Sequence, residues 1–255
     1  MNLKSKNLKN IIGQYAPHAL SALIQRIPKI KKVAFLYFNV PPTIQKRAKL
    51  SASEIKLIKK ATIARGQHSF LFSETLLDVS IKAGVLPKGI LKALNYHQIH
   101  SNKKLWMDKK DLLNGKLISQ CFNDSFILPL AFSSKIETKK GQYMHLPLID
   151  FHVTKTPIGL KNVLEVSKIL FGPSFIILAS DVSFHGIGLN LVSDLELKKI
   201  LAKAVLFSPI VDYSYVAHQQ IEGECAIRIT KKHPTGFPPK VISLSFDGKI
   251  RTGKF

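Results

Sequence analysis

Between residues 146 and 230 two kinds of hydrophobic spacing exchange places in a fixed order, and that order admits few folds. Residues 146–153, "LPLIDFHV", are strand-like, so Asp150 and His152, two apart, share one face. "TPIGLKNVLEVSKILFGP" has helical spacing, with Thr156 as cap, Pro157 at the first helical position and Gly172-Pro173 as the stop. "SFIILAS" and "SFHGIGLNLV" are strand-like and joined by a tight turn near Asp181. Ser193 and Glu196 have the spacing of a capping box and open the helix "DLELKKILAKAVLF". The run through "SPIVDYSYVAH" to "CAIRIT" is apolar and alternating, hence strand. The order is strand–helix–strand–strand–helix–strand, a split βαβ arrangement. Its two helices cover one face of the sheet, its first and third strands are central neighbours, and its other face is left for a ligand.

The expected fold is therefore α/β (α+β), with a mainly helical N-terminal module packed on an RNA-recognition-like βαββαβ sheet. The N-terminal helical/αβ module spans 1–140 and the RNA-recognition-like catalytic module, with a C-terminal extension, spans 145–255. In the first module, "LKNIIGQYAPHALSALIQRI" is periodic but broken around Gly13 and Pro17, and "KKVAFLYFNV" is a buried strand stopped by Pro41 and Pro42. Ser51 and Glu54 are spaced as a capping box for "SASEIKLIKKATIA", and "SETLLDVSIKAG" has Ser73 as N-cap and Gly84 as stop. "PKGILKALNYH" and "MDKKDLLNG" suggest two further short helices. The polar, basic run 133–143, "SSKIETKKGQY", is taken as the junction between modules.

The chain has 255 residues, 45% hydrophobic and 21% charged, which suits a folded protein with a sizeable core. Its charge balance is unusual: 38 Lys+Arg against 16 Asp+Glu, a net +22. Such an excess points to a polyanion, nucleic acid first and anionic membrane second. A lysine-biased composition is the plainer explanation, because only residues 26, 47, 65, 228 and 251 are arginine. Cys121 and Cys225 make no CxxC pair and are expected to be reduced core residues of a cytoplasmic protein. No signal peptide is evident, and no stretch approaches the roughly eighteen apolar residues of a membrane span.

Four polar signals fall on the expected sheet. Asp150 and His152 share a face of its first strand, and Ser183 and His185 share a face of its third. Asp212 follows the second helix, and His218 comes six residues later. Two neighbouring carboxylates suit a hard cation, and a histidine shares that duty more readily with Mn²⁺ or Zn²⁺ than with Mg²⁺. Taken singly, Asp150 could be a satisfied buried acid, Asp212 the cap of a turn and His185 a structural histidine. "GIGLN" lacks the following helix of a phosphate loop. "HVT", 152–154, is half of a paired H-x-T phosphoesterase signature. The set as a whole, D-h-H, then S-h-H, then h-D on one sheet, is more specific than any member.

That ordered set resembles the archaeo-eukaryotic primase superfamily, whose motifs run D-h-D or D-h-E, then s-x-H, then h-D on an RNA-recognition-like sheet. "LIDFH", "SFHGIGL", "LFSPIVD" and "VAHQQIEGECAIRI" look like segments of its compact primase 1D-like branch. The resemblance covers roughly residues 145–242. It implies a primase-polymerase-like nucleotidyltransferase using Mn²⁺ or Mg²⁺, with Asp150, His152 and Asp212 as catalytic and metal-binding residues, His152 standing where many members carry an acid. It also implies that Ser183 and His185, with Arg228 as a clamp, hold the phosphates of a nucleoside triphosphate, and that DNA or RNA is the partner. A protein partner is left open, and no membrane is implied. Two places where the branch commonly carries arginine hold Val182 and Ser214. A catalytically inactive primase-like protein that binds nucleic acid or nucleotide is the alternative, and a metal-dependent phosphoesterase using Asp150, His152, His185 and Asp212 is the third reading.

Overall fold

The computed structural model describes residues 10–37, 43–65, 71–84, 86–95, 104–115, 129–231 and 236–253. Pro41, Pro42 and Cys121, on which sequence expectations fell, lie outside the described residues. The first elements are α1 (Ala16–Gln25), β1 (Ile30–Tyr37), a 3-10 turn (Ile44–Lys46), α2 (Ala52–Arg65), α3 (Phe72–Lys82) and α4 (Lys88–Leu94). There follow β2 (Lys104–Asp108), α5 (Lys109–Leu113), β3 (Leu130–Thr138), β4 (Tyr143–His145), β5 (Leu148–Phe151) and α6 (Pro157–Phe171). The remainder is β6 (Phe175–Ala179), β7 (Phe184–Gly188), α7 (Asp194–Val205), α8 (Tyr213–Glu222), β8 (Ala226–Arg228), β9 (Lys240–Phe246) and β10 (Lys249–Thr252). The mixed α/β class read from the sequence is the class observed.

Two compact units divide the chain: Met1–Asn39 with His100–Phe255, and Val40–Ile99. The smaller is helical, with Ile58, Ala61, Leu76 and Ile90 as its buried core. Glu54 joins two of its helix starts. Its carboxylate accepts from the Ser51 amide at 2.7 Å and the Ser51 hydroxyl at 2.9 Å, as a capping box does, and also from the Gly89 amide in α4 at 2.8 Å. Those bonds, the Ser51 amide first, hold the Glu54 carboxyl below its usual pKa despite the cost of burial.

The larger unit contains two antiparallel sheets. One runs β2-β1-β3-β4, with β8 also on β3; the other runs β10-β9-β6-β7-β5. In the second sheet β5 and β7 are neighbours and β7 lies beside β6, as the split βαβ order requires. Gly186 lets α6 approach this sheet: a Cβ there would lie 2.8 Å from ring atoms of both Phe151 and Phe171. Gly186 and Phe151 therefore face α6, and by alternation Asp150 and His185 face the other way.

Five expectations are corrected. "CAIRIT" supplies β8, which pairs with Ala131–Ser133 of β3 instead of closing the second sheet, because β3 offers a free edge there beside β4. "DYSYVAHQQIE" is helix α8, not strand: Asp212 caps it, and Gly223 at φ 72° ends it. The run 133–143 is no junction but β3, a turn and β4. Helix α3 begins two residues before Ser73 could cap it, with Leu71 at the N-cap and Glu74 bonding back to the Leu71 amide. The face of the second sheet away from α6 is also not free. Every residue of β7, and Phe175–Leu178 of β6, is buried in a core shared with α1, β1 and β3. Among the described residues no helix is long and apolar enough to cross a membrane.

Candidate active site

Strand β5 places its carboxylate between two neighbours. On one side Asp150 is paired in register with His185 of β7. On the other, the chain leaving α7 runs back along the edge of β5. The His152 amide donates to the Ile210 carbonyl at 2.7 Å, Val211 bridges Phe151, and the Asp212 amide donates to the Asp150 carbonyl at 3.1 Å. Residues opposed across an antiparallel pair project to the same face, so Asp150 and Asp212 are cross-strand neighbours on the side away from α6. The Asp150 side chain is 33% exposed, and Asp212 is half-buried. At this edge the sheet reaches solvent beside the buried strand β7.

The Asp212 carboxylate already has a task, accepting from the Tyr215 amide at 3.0 Å as the cap of α8. Tyr215 is held in turn by its hydroxyl donating to the Leu148 carbonyl at 3.3 Å. Its pKa is raised well above 10, by burial first and then by Cys225 and Asp150.

His185 Nε2 lies 3.6 Å from Asp150 Oδ1, beyond hydrogen-bond range. The contact is not an ion pair, because burial, with Arg228 adding to it, pushes the imidazole down to about 3. A neutral imidazole has one donor and one acceptor nitrogen, and the buried Nδ1 has no hydrogen-bond partner among the described residues. Ser183, just before β7, spans the turn: its carbonyl accepts from the Ser180 amide at 2.9 Å, and the two hydroxyls lie 3.1 Å apart.

Arg228, expected as a phosphate clamp, is engaged from the other sheet. Its guanidinium donates to Asp181 at 3.0 Å and to the Thr230 carbonyl. Burial lowers its pKa, while Asp181 and then Asp150 counter that shift. The arginine thus ties the β6–β7 turn to β8, with the Asp150 charge within its field. Asp181 was visible in the sequence only as a turn residue; its pairing with an arginine 47 positions away carries no local signal.

His152 follows Asp150 by two and is half-buried. Among the described residues, however, no group of three His, Cys, Asp or Glu side chains is placed to hold a metal ion, and Asp150, His152 and Asp212 are no exception. The edge offers a carboxylate pair.

A second polar chain escaped the sequence reading. Asp194 Oδ1 lies 2.7 Å from His145 Nε2, and Ser134 Oγ lies 2.9 Å from His145 Nδ1. The order resembles a nucleophilic triad, but Ser134 is fully buried and also accepts from the Cys225 amide at 2.9 Å. No substrate reaches it, so the chain is a strut joining β3, β4 and the start of α7. Cys225 is a buried free thiol pushed up to about 12, chiefly by burial, so it is not a nucleophile either.

A family model described as archaeo-eukaryotic primase 1D-like matches residues 110–238, just over half of the chain. The match takes in Asp150, His152, Ser183, His185, Asp212 and Arg228. No curated protein and no solved structure matches the chain.

Proposed function

The chain belongs to the archaeo-eukaryotic primase 1D-like family, and from that premise we propose that it is a nucleotidyltransferase joining a nucleoside triphosphate to a nucleic-acid or nucleotide acceptor. The observation that carries the reading is the carboxylate pair Asp150 and Asp212, opposed across the β5 edge where the sheet reaches solvent. Two carboxylates suit Mg²⁺ or Mn²⁺ of the kind that keeps several ligand positions for water and substrate phosphate. They do not make a closed site. Bound there, such an ion supplies positive charge at the α-phosphate and lowers the pKa of the attacking 3′-hydroxyl.

The chain's own residues do the rest. Asp150 and Asp212 would hold the cation at the β5 edge and so help to position the phosphate relative to the acceptor, on which phosphoryl chemistry depends. The neutral His185 can donate one N–H to a phosphate oxygen without bringing charge, and Ser183 adds a neutral hydroxyl. Arg228, paired with Asp181, contributes its field more than a free fork. The lysine-rich surface supplies sequence-independent attraction for DNA or RNA.

A primase-like protein without catalysis is the second reading, favoured by the absence of a three-residue metal group among the described residues. Pyrophosphate release from nucleoside triphosphates, with Mn²⁺ and a primed or unprimed template, separates the two. Asp150→Asn and Asp212→Asn should each lower the rate by two orders of magnitude or more, roughly the cost of a group acting only in the transition state. Wild type no faster than Asp150→Asn gives the protein to the inactive reading.

A further inference from the structure

Beside the β6–β7 turn lies a pocket of about 370 Å³ whose walls include Tyr15, Phe237, Lys155, Lys240, Ser180 and Asp181. The volume is at the small end of ligand pockets, the size of one nucleotide unit rather than of a large cofactor. The two aromatic rings are 5° from parallel with centroids 6.4 Å apart, and Phe237 is 69% exposed. With most of its surface open, the Phe237 ring is available for stacking. Lys155 and Lys240 are both exposed, and neither forms an ion pair among the described residues. The one acid of the wall, Asp181, is neutralised by Arg228 at 3.0 Å and does not repel an anion.

We propose that this pocket seats one nucleotide unit of a single-stranded nucleic acid, with its base on Phe237 and its phosphates on Lys155 and Lys240. A flat apolar platform with two free cations matches a base and its flanking phosphates. Neither group reads sequence, because every base has a π-face and every phosphate the same charge.

The seat is built on firm backbone. Gly13 donates to the Val241 carbonyl at 2.8 Å, Val241 to the Gln14 carbonyl at 2.9 Å and Ala16 to the Pro239 carbonyl at 2.7 Å. These bonds fix Tyr15, the ring stacked against Phe237, beside Lys240. The inference deepens the nucleic-acid reading of the protein but needs nothing from Asp150 or Asp212.

The test is fluorescence anisotropy on the full chain at low salt, with labelled dT15 as the single strand and a labelled ATP as the free nucleotide. Wild type should bind dT15. Phe237→Ala should weaken it about tenfold or more, the usual loss for one stacked base, and Phe237→Tyr should restore it. Lys155→Ala combined with Lys240→Ala should make the log affinity against log salt shallower by about 1.4, two phosphates at about 0.7 each. The proposal is overturned if wild type does not bind dT15 or if Phe237→Ala binds it as well as wild type. It is equally overturned if Phe237→Ala weakens only the labelled ATP. Pyrophosphate release by Asp150→Asn reports on catalysis separately, so the seat and the reaction can fail independently.

Discussion

Asp212 caps α8 through the Tyr215 amide and stands opposite Asp150, so an alanine there removes two things at once. Asparagine is as good an N-cap as aspartate but carries no charge. Asp212→Asn should therefore keep the melting temperature close to wild type while abolishing pyrophosphate release. Asp212→Ala should in addition lose about 1 kcal/mol of stability in urea titrations, the common cost of a lost cap. Equal stability of the two variants would mean that the cap contributes nothing. His145 offers a residue-scale prediction in pH. Burial holds its pKa below 6.5, against the opposing pull of Asp194 and Glu224 and with Lys135 adding to the depression. The unfolded chain then binds the extra proton first, so stability is fully present above about pH 6.5 and is lost as pH falls toward the lower native value. The urea midpoint should drop between pH 7.5 and 5 in wild type, and drop less in His145→Gln. Parallel drops would place the sensitivity elsewhere. Neither role of these residues was written locally: Asp150 and His152 declared themselves by spacing, but the partners of Asp212 and His145 come from distant strands and helices.

At the scale of elements, what the sequence displays is what local chemistry decides. The Ser193–Glu196 box and the Thr156 cap are formed as expected, because each needs only three residues of chain. The expected adjacency of β5 and β7 also holds, since the split βαβ order leaves little choice. Strand β8 went elsewhere because a three-residue strand has no preference among the edges a fold offers, and β3 offers one beside β4. "DYSYVAH" reads as strand because Tyr213 and Tyr215 alternate and tyrosine and valine favour strands, yet a cap at Asp212 and a left-handed glycine at Gly223 set helix bounds around it. Glu54 shows how far a local device can reach. It reads as a capping box for α2, but the same carboxylate also receives the Gly89 amide of α4. Glu54→Ala strands several donors in a nearly buried spot and should cost about 2–3 kcal/mol. Hydrogen exchange is the discriminating readout: amides at the starts of both α2 and α4 should lose protection together. Loss confined to α2 would show that the bond to Gly89 carries no weight.

At the scale of the whole molecule, a net charge of +22 acts on folding and on binding with opposite signs. Like charges spread over a compact chain repel one another, so they oppose the native state, and added salt relieves that repulsion. The same charges attract a polyanion by releasing its counterions, and added salt weakens that attraction. Raising sodium chloride from about 50 to 300 mM, a range over which the screening length shortens by more than half, should therefore raise the melting temperature of the free protein. Over the same range the affinity for single- or double-stranded nucleic acid should fall. A log–log slope of about −3 or steeper corresponds to roughly four phosphates neutralised together, at about 0.7–0.9 per phosphate. Nucleic acid added at low salt should raise the melting temperature further, because a ligand of the native state stabilises it by mass action. A shallow slope together with a salt-stabilised protein would mean that the lysines repel one another without serving a partner, and a lysine-biased composition would then suffice to explain them. A steep slope that survives Asp150→Asn and Asp212→Asn would show that the charge grips the backbone of the nucleic acid while the carboxylate edge is reserved for chemistry.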